Sequence, residues 1–406
     1  FAASKADGSI TSWGHSVFGG NDAPQGSGYR GVFSNYGSFA AISGDGAIKS
    51  WGSPDYGAPS KAPTGTGYAN FKATRYASAA LNADGSIRSW GLPENGGTGT
   101  PTGTGFTALY STDAAFAALK ADGSIKVWGN YWNGGPGSGE PTGSGFVRVY
   151  SNASAFVAMR ADGSLFSWGV ANGGVGAPAD AGYVDVVSNG GSFVAIKSDG
   201  SLSAWGNAGS GGTGAPTGGG YTKVLANNGG YTALKSDGSI VSWGDASSGG
   251  TGAPTGTGFQ AIQATETAFA AIKSDGGLVT WGNYPYGGST PPTDTGFVSL
   301  FATGYSFAAL KGDGSIQTWG NGPYPISPPA GTGYTTIVSG RQAFAALRND
   351  GTITVWGGWG GYDGPTGNGF KAIYATEYAF TAMRVDGSLF SWGDGSNGGH
   401  GLAPTG

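Results

Sequence analysis

One motif recurs along this chain with a fixed internal spacing, and it constrains the fold more than any other feature. An Asp-Gly pair is followed, six residues after the Asp, by a Trp-Gly pair, and this occurs eleven times in 406 residues. The Asp members are Asp7, Asp45, Asp84, Asp122, Asp162, Asp199, Asp237, Asp275, Asp313, Asp350 and Asp386. The Trp members are Trp13, Trp51, Trp90, Trp128, Trp168, Trp205, Trp243, Trp281, Trp319, Trp356 and Trp392. A period of 36 to 40 residues predicts an array of similar small units in place of two or three unrelated domains.

The residue pattern of each repeat predicts three strands. Residues Tyr183–Ser188 alternate apolar and polar side chains, as a half-buried strand does. The segment that begins at Asn189 has turn chemistry, and Phe193–Lys197 is a second strand. The pair Asp199–Gly200 predicts a tight hairpin turn because its glycine tolerates positive φ, and Leu202–Trp205 is the third strand. No segment has helical periodicity, so we predict an all-β protein.

The spacing within a repeat separates a constant framework from a variable loop. The aromatic residue that opens the first strand precedes the equivalent residue of the second strand by ten positions in all ten cases. Ser78 is the one second-strand member that is not aromatic. The loop from the Trp to the next first-strand aromatic varies from 14 residues after Trp356 to 18 after Trp128. All length variation therefore lies at one corner of the repeat and projects from one face.

The glycine content would suggest disorder, but the glycines recur in register with large apolar residues. Gly and Pro number 84 and 20, about a quarter of the chain, a level also seen in disordered segments. A disordered tract would not keep Trp and Phe at fixed positions. A three-stranded sheet of about 38 residues cannot bury both faces alone, so each repeat must pack against its neighbours. Small residues such as Ala117 and Ala118 would let neighbouring sheets approach closely.

The repeats resemble a known family. The segment Phe193–Gly206 and its equivalents, of the form Phe-x-Ala-Leu/Ile-Lys-x-Asp-Gly-Ser-Ile/Leu-x-x-Trp-Gly, resemble the repeats of the regulator of chromosome condensation family. The compact three-stranded unit is closer to the propeller-type β-lactamase inhibitor and is also similar to repeats of giant surface proteins of aquatic bacteria. The resemblance implies propeller-type blades. It implies little about function because the shared residues are framework.

The number of repeats and the chain ends depart from that family. Its propellers close with seven blades, whereas this chain has eleven motifs. We therefore expect residues 1–406 to form a single array of eleven three-stranded propeller-type blades, as an open superhelix, which we favour, or as a large ring. The chain opens at a second strand, Phe1, and stops before a new first strand, at Gly406, so the terminal repeats are incomplete. We expect other copies or flanking repeats to pair end to end with them.

Composition argues against several classes of function. The net charge is −4 with 11% charged residues and no basic stretch, so we expect no nucleic-acid binding. No run of about twenty apolar residues exists, so we expect no membrane insertion. The chain has no Cys, and His15 and His400 lie in glycine-rich loops, so we expect no metal, cofactor or catalytic group. A basic residue two before the Asp in nine repeats indicates a solvated, self-neutralising edge. The alternative is a polyanion-binding strip, which the adjacent Asp disfavours.

Aromatic residues in the variable loop are the candidate binding residues. They are Phe18, Tyr56, Tyr131, Trp132, Tyr284, Tyr286, Tyr324, Trp359 and Tyr362. Exposed rings on a rigid scaffold would bind a protein or a sugar; alternatively, these rings pack between neighbouring loops. The sequence favours a non-enzymatic structural segment of an extracellular bacterial surface or filament protein. The alternative is a protein- or glycan-binding module, inhibitor-like or lectin-like, that acts through the variable-loop face.

Overall fold

The computed structural model describes residues 2–5, 7–56, 62–288, 290–320, 327–358 and 361–394. The chain divides into two compact units. The first comprises the residues up to Ser198 together with Ser203–Ala208, and the second comprises Asp199–Leu202 together with the residues from Gly209 onward. The prediction of a single array that forms a superhelix or a ring stays a prediction.

Strands are the dominant elements, and they follow the predicted repeat. We number the blades 1 to 11 in chain order. The first strands of blades 2 to 11 are Tyr29–Ser34, Tyr68–Ala73, Phe106–Ser111, Phe146–Ser151, Tyr183–Ser188, Tyr221–Ala226, Phe259–Ala264, Phe297–Ala302, Tyr334–Ser339 and Phe370–Ala375. The second strands of blades 1 to 11 are Ala2–Ser4, Ser38–Ser43, Ala77–Asn82, Ala115–Lys120, Phe156–Arg160, Ser192–Lys197, Gly230–Lys235, Ala268–Lys273, Phe307–Lys311, Ala343–Arg348 and Ala379–Arg384. The third strands are Ile10–Ser12, Ile48–Gly52, Ile87–Gly91, Ile125–Gly129, Leu165–Trp168, Leu202–Gly206, Ile240–Gly244, Leu278–Gly282, Ile316–Trp319, Ile353–Gly357 and Leu389–Gly393.

Each blade is an antiparallel sheet in the order first, second, third strand. Ten sheets have three strands, and the sheet of blade 1 has two, which are the second and third strands of its repeat. The first strand carries a bulge directly after its opening aromatic: in blade 5, Phe146 pairs with Arg160, and Arg148 pairs with Met159. The prediction of an all-β tandem array of propeller-type blades is confirmed.

The Asp-Gly hairpin between the second and third strands is a three-residue loop. In blade 4 the Lys120 carbonyl accepts a hydrogen bond from Gly123 N–H at 2.9 Å, and Lys120 N–H donates to the Ser124 carbonyl at 2.9 Å. Gly123 has a φ of 79°, as expected for a hairpin loop that closes on a left-handed glycine. The Asp122 carboxylate accepts a bond from Ser124 N–H at 2.8 Å. Only the glycine uses the positive φ, and the aspartate contributes a side-chain acceptor.

The aspartate bond recurs in all eleven hairpins. Its consequence is electrostatic as well as structural, because a hydrogen bond to a carboxylate favours the charged form. The backbone and side-chain bonds from Ser124 hold the pKa of Asp122 below its ordinary value. The equivalent bonds from Ser239 do the same for the pKa of Asp237.

The hairpin also fastens each blade to the next. Gly145 N–H donates to the Asp122 carbonyl at 3.0 Å, and Phe146 N–H donates to the Gly123 carbonyl at 3.1 Å. The second of these bonds recurs at ten junctions. A Cβ atom added at Gly123 would lie 2.5 Å from the backbone nitrogens of Gly145 and Phe146. Glycine is therefore required here both for the turn and for the close approach of the next blade.

The core lies between successive blades. Ala115 and Ala117 of blade 4 are fully buried in one cluster with Phe156 and Trp168 of blade 5. The Phe156 and Trp168 rings stack at 5.1 Å between centroids, and the Trp168 indole N–H donates to the Gly134 carbonyl in the preceding loop at 3.1 Å. The same ring pair stacks in nine blades. This arrangement agrees with the expectation that small alanines permit neighbouring sheets to pack closely.

Blade 3 lacks the second-strand ring and replaces it from the first strand. Ser78 is buried at the position that other blades fill with Phe or Tyr, and it pairs in register with Trp90. Phe71 stands in the first strand where blade 5 has Val149, and its ring contacts Trp90 edge-on at 5.8 Å and stacks on Phe33 at 4.9 Å. One aromatic ring therefore still covers the indole, although it comes from a different strand.

The basic residues two before the hairpin Asp do more than form a solvated edge. Arg160 lies over the ring of Phe146, its cross-strand partner, with 4.2 Å from the guanidinium carbon to the ring centroid. Seven blades have this cation–ring contact, which contributes about 0.5–1 kcal/mol at an exposed site. The sequence prediction missed the contact because it depends on cross-strand pairing, which a linear spacing does not show.

Candidate functional site: the turn face

Two kinds of segment meet at one end of the blades. One is the turn between the first and second strands, and the other is a short 3-10 turn that follows the third strand. The 3-10 turns are Ser16–Phe18, Pro54–Tyr56, Pro93–Asn95, Tyr131–Asn133, Ala208–Ser210, Ala246–Ser248 and Tyr284–Tyr286. In each unit, we call the surface that these two kinds of turn form the turn face.

An Asn or Thr in the strand turn anchors the 3-10 turn of the same blade. The Thr112 hydroxyl donates to the Asn133 carbonyl at 2.8 Å, and the Asn227 amide donates to the Ser248 carbonyl at 2.7 Å. Asn35 makes the same bond to the Tyr56 carbonyl at 2.8 Å. These side chains donate to loop carbonyls, so the variable loop begins from a fixed geometry.

A ladder of backbone hydrogen bonds joins the strand turns of successive blades. In the first unit, Tyr36 N–H donates to the Arg75 carbonyl at 3.2 Å, Arg75 N–H to Asp113 at 2.9 Å, and Asp113 N–H to Ala153 at 3.0 Å. Each donor lies seven residues after the first-strand aromatic of its blade. The side chains at this position therefore follow one another from blade to blade.

The second unit has the same ladder. Its bonds run from Asn228 N–H to Glu266 at 3.1 Å, Glu266 to Gly304 at 3.1 Å, Gly304 to Arg341 at 2.8 Å, and Arg341 to Glu377 at 2.7 Å. Since the backbone is alike in both units, differences on the turn face come from side chains.

The 3-10 turns hold six of the nine candidate aromatics, and the structure brings two of them together across blades. Phe18 and Tyr56, which end the turns of blades 1 and 2, have ring centroids 6.5 Å apart. Tyr131 and Trp132 contact each other edge-on at 5.2 Å, and Tyr284 and Tyr286 lie on one turn of the second unit.

The other three candidates are placed differently. Tyr362 is 57% exposed in the loop after blade 10. Tyr324 and Trp359 lie outside the described residues.

The first unit has an aromatic cluster that includes two rings that the sequence prediction missed. Tyr36, which is 60% exposed, contacts Phe18 at 6.3 Å, Tyr56 at 6.2 Å and Tyr76 at 5.8 Å. Tyr56 stacks on Tyr76 at 5.0 Å. The Arg75 guanidinium lies 5.2 Å over the Tyr36 ring and 5.6 Å over the Tyr76 ring. We call these five residues the tyrosine cluster.

A separate aromatic pair in the first unit is more exposed. Trp132 is 65% exposed and Tyr131 is 47% exposed. The turn beneath them is held in place, since the Asn130 side chain accepts a bond from Trp132 N–H at 2.9 Å. Large apolar area is thus presented to solvent on a fixed backbone, which is typical of binding surfaces.

The second unit has an ion pair on its turn face. Arg341 Nε donates to the Glu266 carboxylate at 2.9 Å, and Arg341 Nη1 donates to the Tyr378 hydroxyl at 2.9 Å. These bonds, first that to Tyr378 and then that to Glu266, raise the pKa of the Arg341 guanidinium above its ordinary value. The Tyr286 and Tyr305 rings lie 5.2 Å apart on the same face.

Tyr36, Tyr76, Arg75, Glu266 and Arg341 were missed because they lie inside the constant ten-residue spacing. That spacing reads as framework, whereas the predicted binding residues all lie in the loop of variable length. The signal that could have found them is a pair of columns, seven and eight residues after the first-strand aromatic. Members of these columns change from blade to blade in size, and in the first of them also in charge, whereas the first-strand aromatic and the Trp keep their type.

The described residues contain neither a metal cluster nor a membrane-spanning helix. Among them, no three or more His, Cys, Asp or Glu side chains lie close enough to hold a metal ion. In the same part of the chain, no helix is long and apolar enough to span a bilayer.

The chain matches no protein-family model and no curated protein sequence, but it is similar to solved repeat structures at low identity. The entire ectodomain of the receptor kinase CR4 from Physcomitrella patens is 21% identical, with 59% of this chain and 70% of that chain covered and a TM-score of 0.37. The CRINKLY WD40 ectodomain of the Arabidopsis thaliana receptor kinase ACR4 is 19% identical, with 62% and 96% covered and a TM-score of 0.38. Prp20p from Saccharomyces cerevisiae, also named yeast RCC1, is 16% identical, with 74% and 75% covered and a TM-score of 0.34. At these similarities none of the alignments bears on function.

Proposed function

We propose that this chain is a non-enzymatic binding module whose blades present the turn face to a protein or a glycan. The observation that carries the proposal is the exposed pair Tyr131 and Trp132. Trp, Tyr and Arg are the residue types that dominate binding energy at interfaces. A rigid backbone beneath them lowers the entropy lost on binding.

A second turn of the same chain indicates that these rings are not needed for folding. Residues Ala246–Ser248 form the equivalent 3-10 turn, and Asp245 caps it by accepting a bond from Ser247 N–H at 2.8 Å. The turn thus keeps its cap with Ala and Ser at the positions of Tyr131 and Trp132. A ring that the framework does not need is best explained by contact with a partner.

The test transplants one turn onto the other. The double variant Tyr131→Ala, Trp132→Ser should keep the thermal midpoint of the parent while it loses a signal on a glycan array or a partner in a pull-down. The matched control, Ala246→Ser, changes the other turn and should leave both readouts unchanged. An unchanged binding signal in the double variant would remove Tyr131 and Trp132 from the binding surface.

A structural segment of an extracellular bacterial surface or filament protein is the second candidate. The observation that favours it is the regular backbone bonding at the ten blade junctions, because a structural segment needs each repeat fastened to the next in the same way. Electron microscopy over a concentration series would reveal end-to-end filaments, and antibody labelling of intact producing cells would locate the protein. A monodisperse protein at every concentration, with no label on intact cells, would count against this candidate.

A further inference from the structure

Two arginines occupy the same position of the repeat. Arg75 lies seven residues after Tyr68, and Arg341 lies seven residues after Tyr334. Both belong to the backbone ladder of their own unit, since each N–H donates to the carbonyl of the next turn, at 2.9 Å from Arg75 and 2.7 Å from Arg341. The two guanidinium groups can therefore be compared directly.

The guanidinium of Arg341 is satisfied by the protein. Its carboxylate partner, Glu266, lies two blades earlier, so the ion pair must cross the intervening turn at Gly304. A Cβ atom at Gly304 would lie 2.8 Å from the Glu266 Oε1 atom. The ion pair exists because the residue between its two members has no side chain.

The guanidinium of Arg75 has no such path. The residue one blade earlier is Tyr36, whose ring stands where Gly304 leaves space. Arg75 instead lies over the Tyr36 and Tyr76 rings, with its guanidinium carbon 5.2 and 5.6 Å from their centroids, and its side chain is exposed. Arg75 takes no part in the ion pairs that join Lys197 to Asp180, Lys311 to Asp294 and Arg341 to Glu266. The Arg75 guanidinium also forms no hydrogen bond with the described residues, so its N–H donors are available to a ligand.

We propose that the tyrosine cluster binds a carboxylate-bearing sugar unit of an acidic glycan, with Arg75 pairing to the carboxylate. This rests on the proposed function, and it names the ligand class of one part of the turn face. An arginine fork and a carboxylate match in shape and form two parallel charge-assisted hydrogen bonds. Glu266 supplies that carboxylate to Arg341, and the ligand supplies it to Arg75.

The surroundings of Arg75 favour a sugar over an acidic peptide. The hydroxyls of Tyr36, Tyr56 and Tyr76 form no hydrogen bond with the described residues, so the cluster combines three groups that both donate and accept with one cation. A ligand rich in hydroxyl groups can satisfy them, and the C–H face of a sugar ring can contact the Phe18 and Tyr56 rings. A folded protein partner would need an interface of about 800 Å² on this side, much more than five side chains offer.

The experiment measures binding of the whole chain to short oligomers of galacturonic acid by calorimetry, with galactose oligomers of equal length as the neutral comparison. We expect the acidic oligomer to bind and the neutral one to bind at least about tenfold more weakly. Arg75→Asn, which installs the residue found at the equivalent Asn228, should weaken binding about tenfold or more. Arg75→Lys should recover part of the loss because it keeps the charge without the fork.

Two further variants separate the site from general charge effects. Arg88→Asn removes an exposed positive charge from the same blade and should leave the affinity unchanged. Gly37→Ala adds a Cβ atom that overlaps the Tyr56 ring, so it should weaken binding while Arg75 is retained. Thermal midpoints of all variants check that the fold is intact.

Several outcomes would overturn the proposal. Equal binding of neutral and acidic oligomers, an equal loss in Arg88→Asn, or no binding of either oligomer would each reject it. Binding of polyglutamate that depends on Arg75 and matches or exceeds that of the sugar would assign the site to an acidic peptide. The Tyr131 and Trp132 variant is measured separately, so failure here is distinguishable from failure of the proposed function.

Discussion

The turn faces around Arg75 and around Arg341 share one backbone ladder and differ in how they use a guanidinium. In the second unit, Gly304 leaves room for Glu266 to reach Arg341. In the first unit, Tyr36 occupies the equivalent position, and the Arg75 guanidinium lies over its ring. The cation is thus used within the protein in the second unit, whereas in the first unit it stays available to a ligand.

The difference shows how a repeat protein separates stability from recognition. The hairpin and junction bonds are the same in both units, so they fix the geometry whatever the turn face carries. The ion pair of Arg341 is partly exposed, with its Arg and Glu side chains 38% and 28% accessible. Such a pair contributes at most about 1 kcal/mol. Each turn can therefore change its side chains with little effect on the fold.

The largest expected effect tests whether the two units share one framework. Gly123→Ala in the first unit and Gly276→Ala in the second should destabilise to a similar extent, since both glycines have a φ of 79° and an added Cβ atom would lie 2.5 Å from a backbone nitrogen of the next blade. Left-handed backbone costs a non-glycine residue about 1–2 kcal/mol, and the overlap adds about 1–3 kcal/mol. Urea unfolding measures both changes.

The matched control for that experiment is Gly145→Ala. Gly145 has a φ of 86° and no atom within 4 Å of an added Cβ, so only the backbone contribution of about 1–2 kcal/mol remains. If Gly123→Ala and Gly145→Ala cost the same, the close approach of the next blade is not a constraint. If Gly123→Ala and Gly276→Ala differ widely, the two units do not share a framework.

A smaller effect tests the ion pair that distinguishes the second unit. Gly304→Ala should separate Glu266 from Arg341 and lower the free energy of unfolding by about 0.5–1 kcal/mol, as expected for a partly exposed pair. In a Glu266→Gln background the same substitution should have much less effect, because the charge pair is already lost. Additive losses in the double variant would show that Gly304 contributes through something other than this ion pair.

The smallest effect per residue is the loss of thermal stability that follows protonation of the hairpin aspartates at low pH. This loss should be common to both units. The pKa values of Asp122 and Asp237 are lowered by bonds from Ser124 and Ser239. Their stabilisation is therefore fully present above the unfolded value of about 3.9 and is lost as the pH falls through the lower folded value. Thermal midpoints should be nearly constant from about pH 8 to 5 and fall below about pH 4.

Asp122→Asn is the matched variant for the pH experiment. The amide oxygen can still accept from Ser124 N–H, but it carries no charge and does not titrate. The variant should therefore lose slightly less stability on acidification than the parent. A parent midpoint that declines between about pH 8 and 5 would contradict the assignment of acid sensitivity to the hairpin carboxylates.

The sequence by itself determined the repeat, its three strands and the hairpin that joins the last two. These features are local, so every copy of the repeat folds in the same way. They are the alternation of side chains, a glycine that tolerates positive φ, and a fixed distance from the Asp to the Trp. The sequence also placed the loop aromatics Phe18, Tyr131 and Trp132 on one corner of the repeat, because all length variation lies there.

The tertiary structure alone decided which side chains meet across blades. Three contacts depend on how closely neighbouring blades pack. The next blade approaches Gly123, the Trp168 indole N–H donates to the Gly134 carbonyl, and Tyr36 lies beside Arg75. Spacing along the chain describes one blade and carries no measure of the distance to the next. The tyrosine cluster combines residues from three repeats, so it is defined only when the blades are stacked.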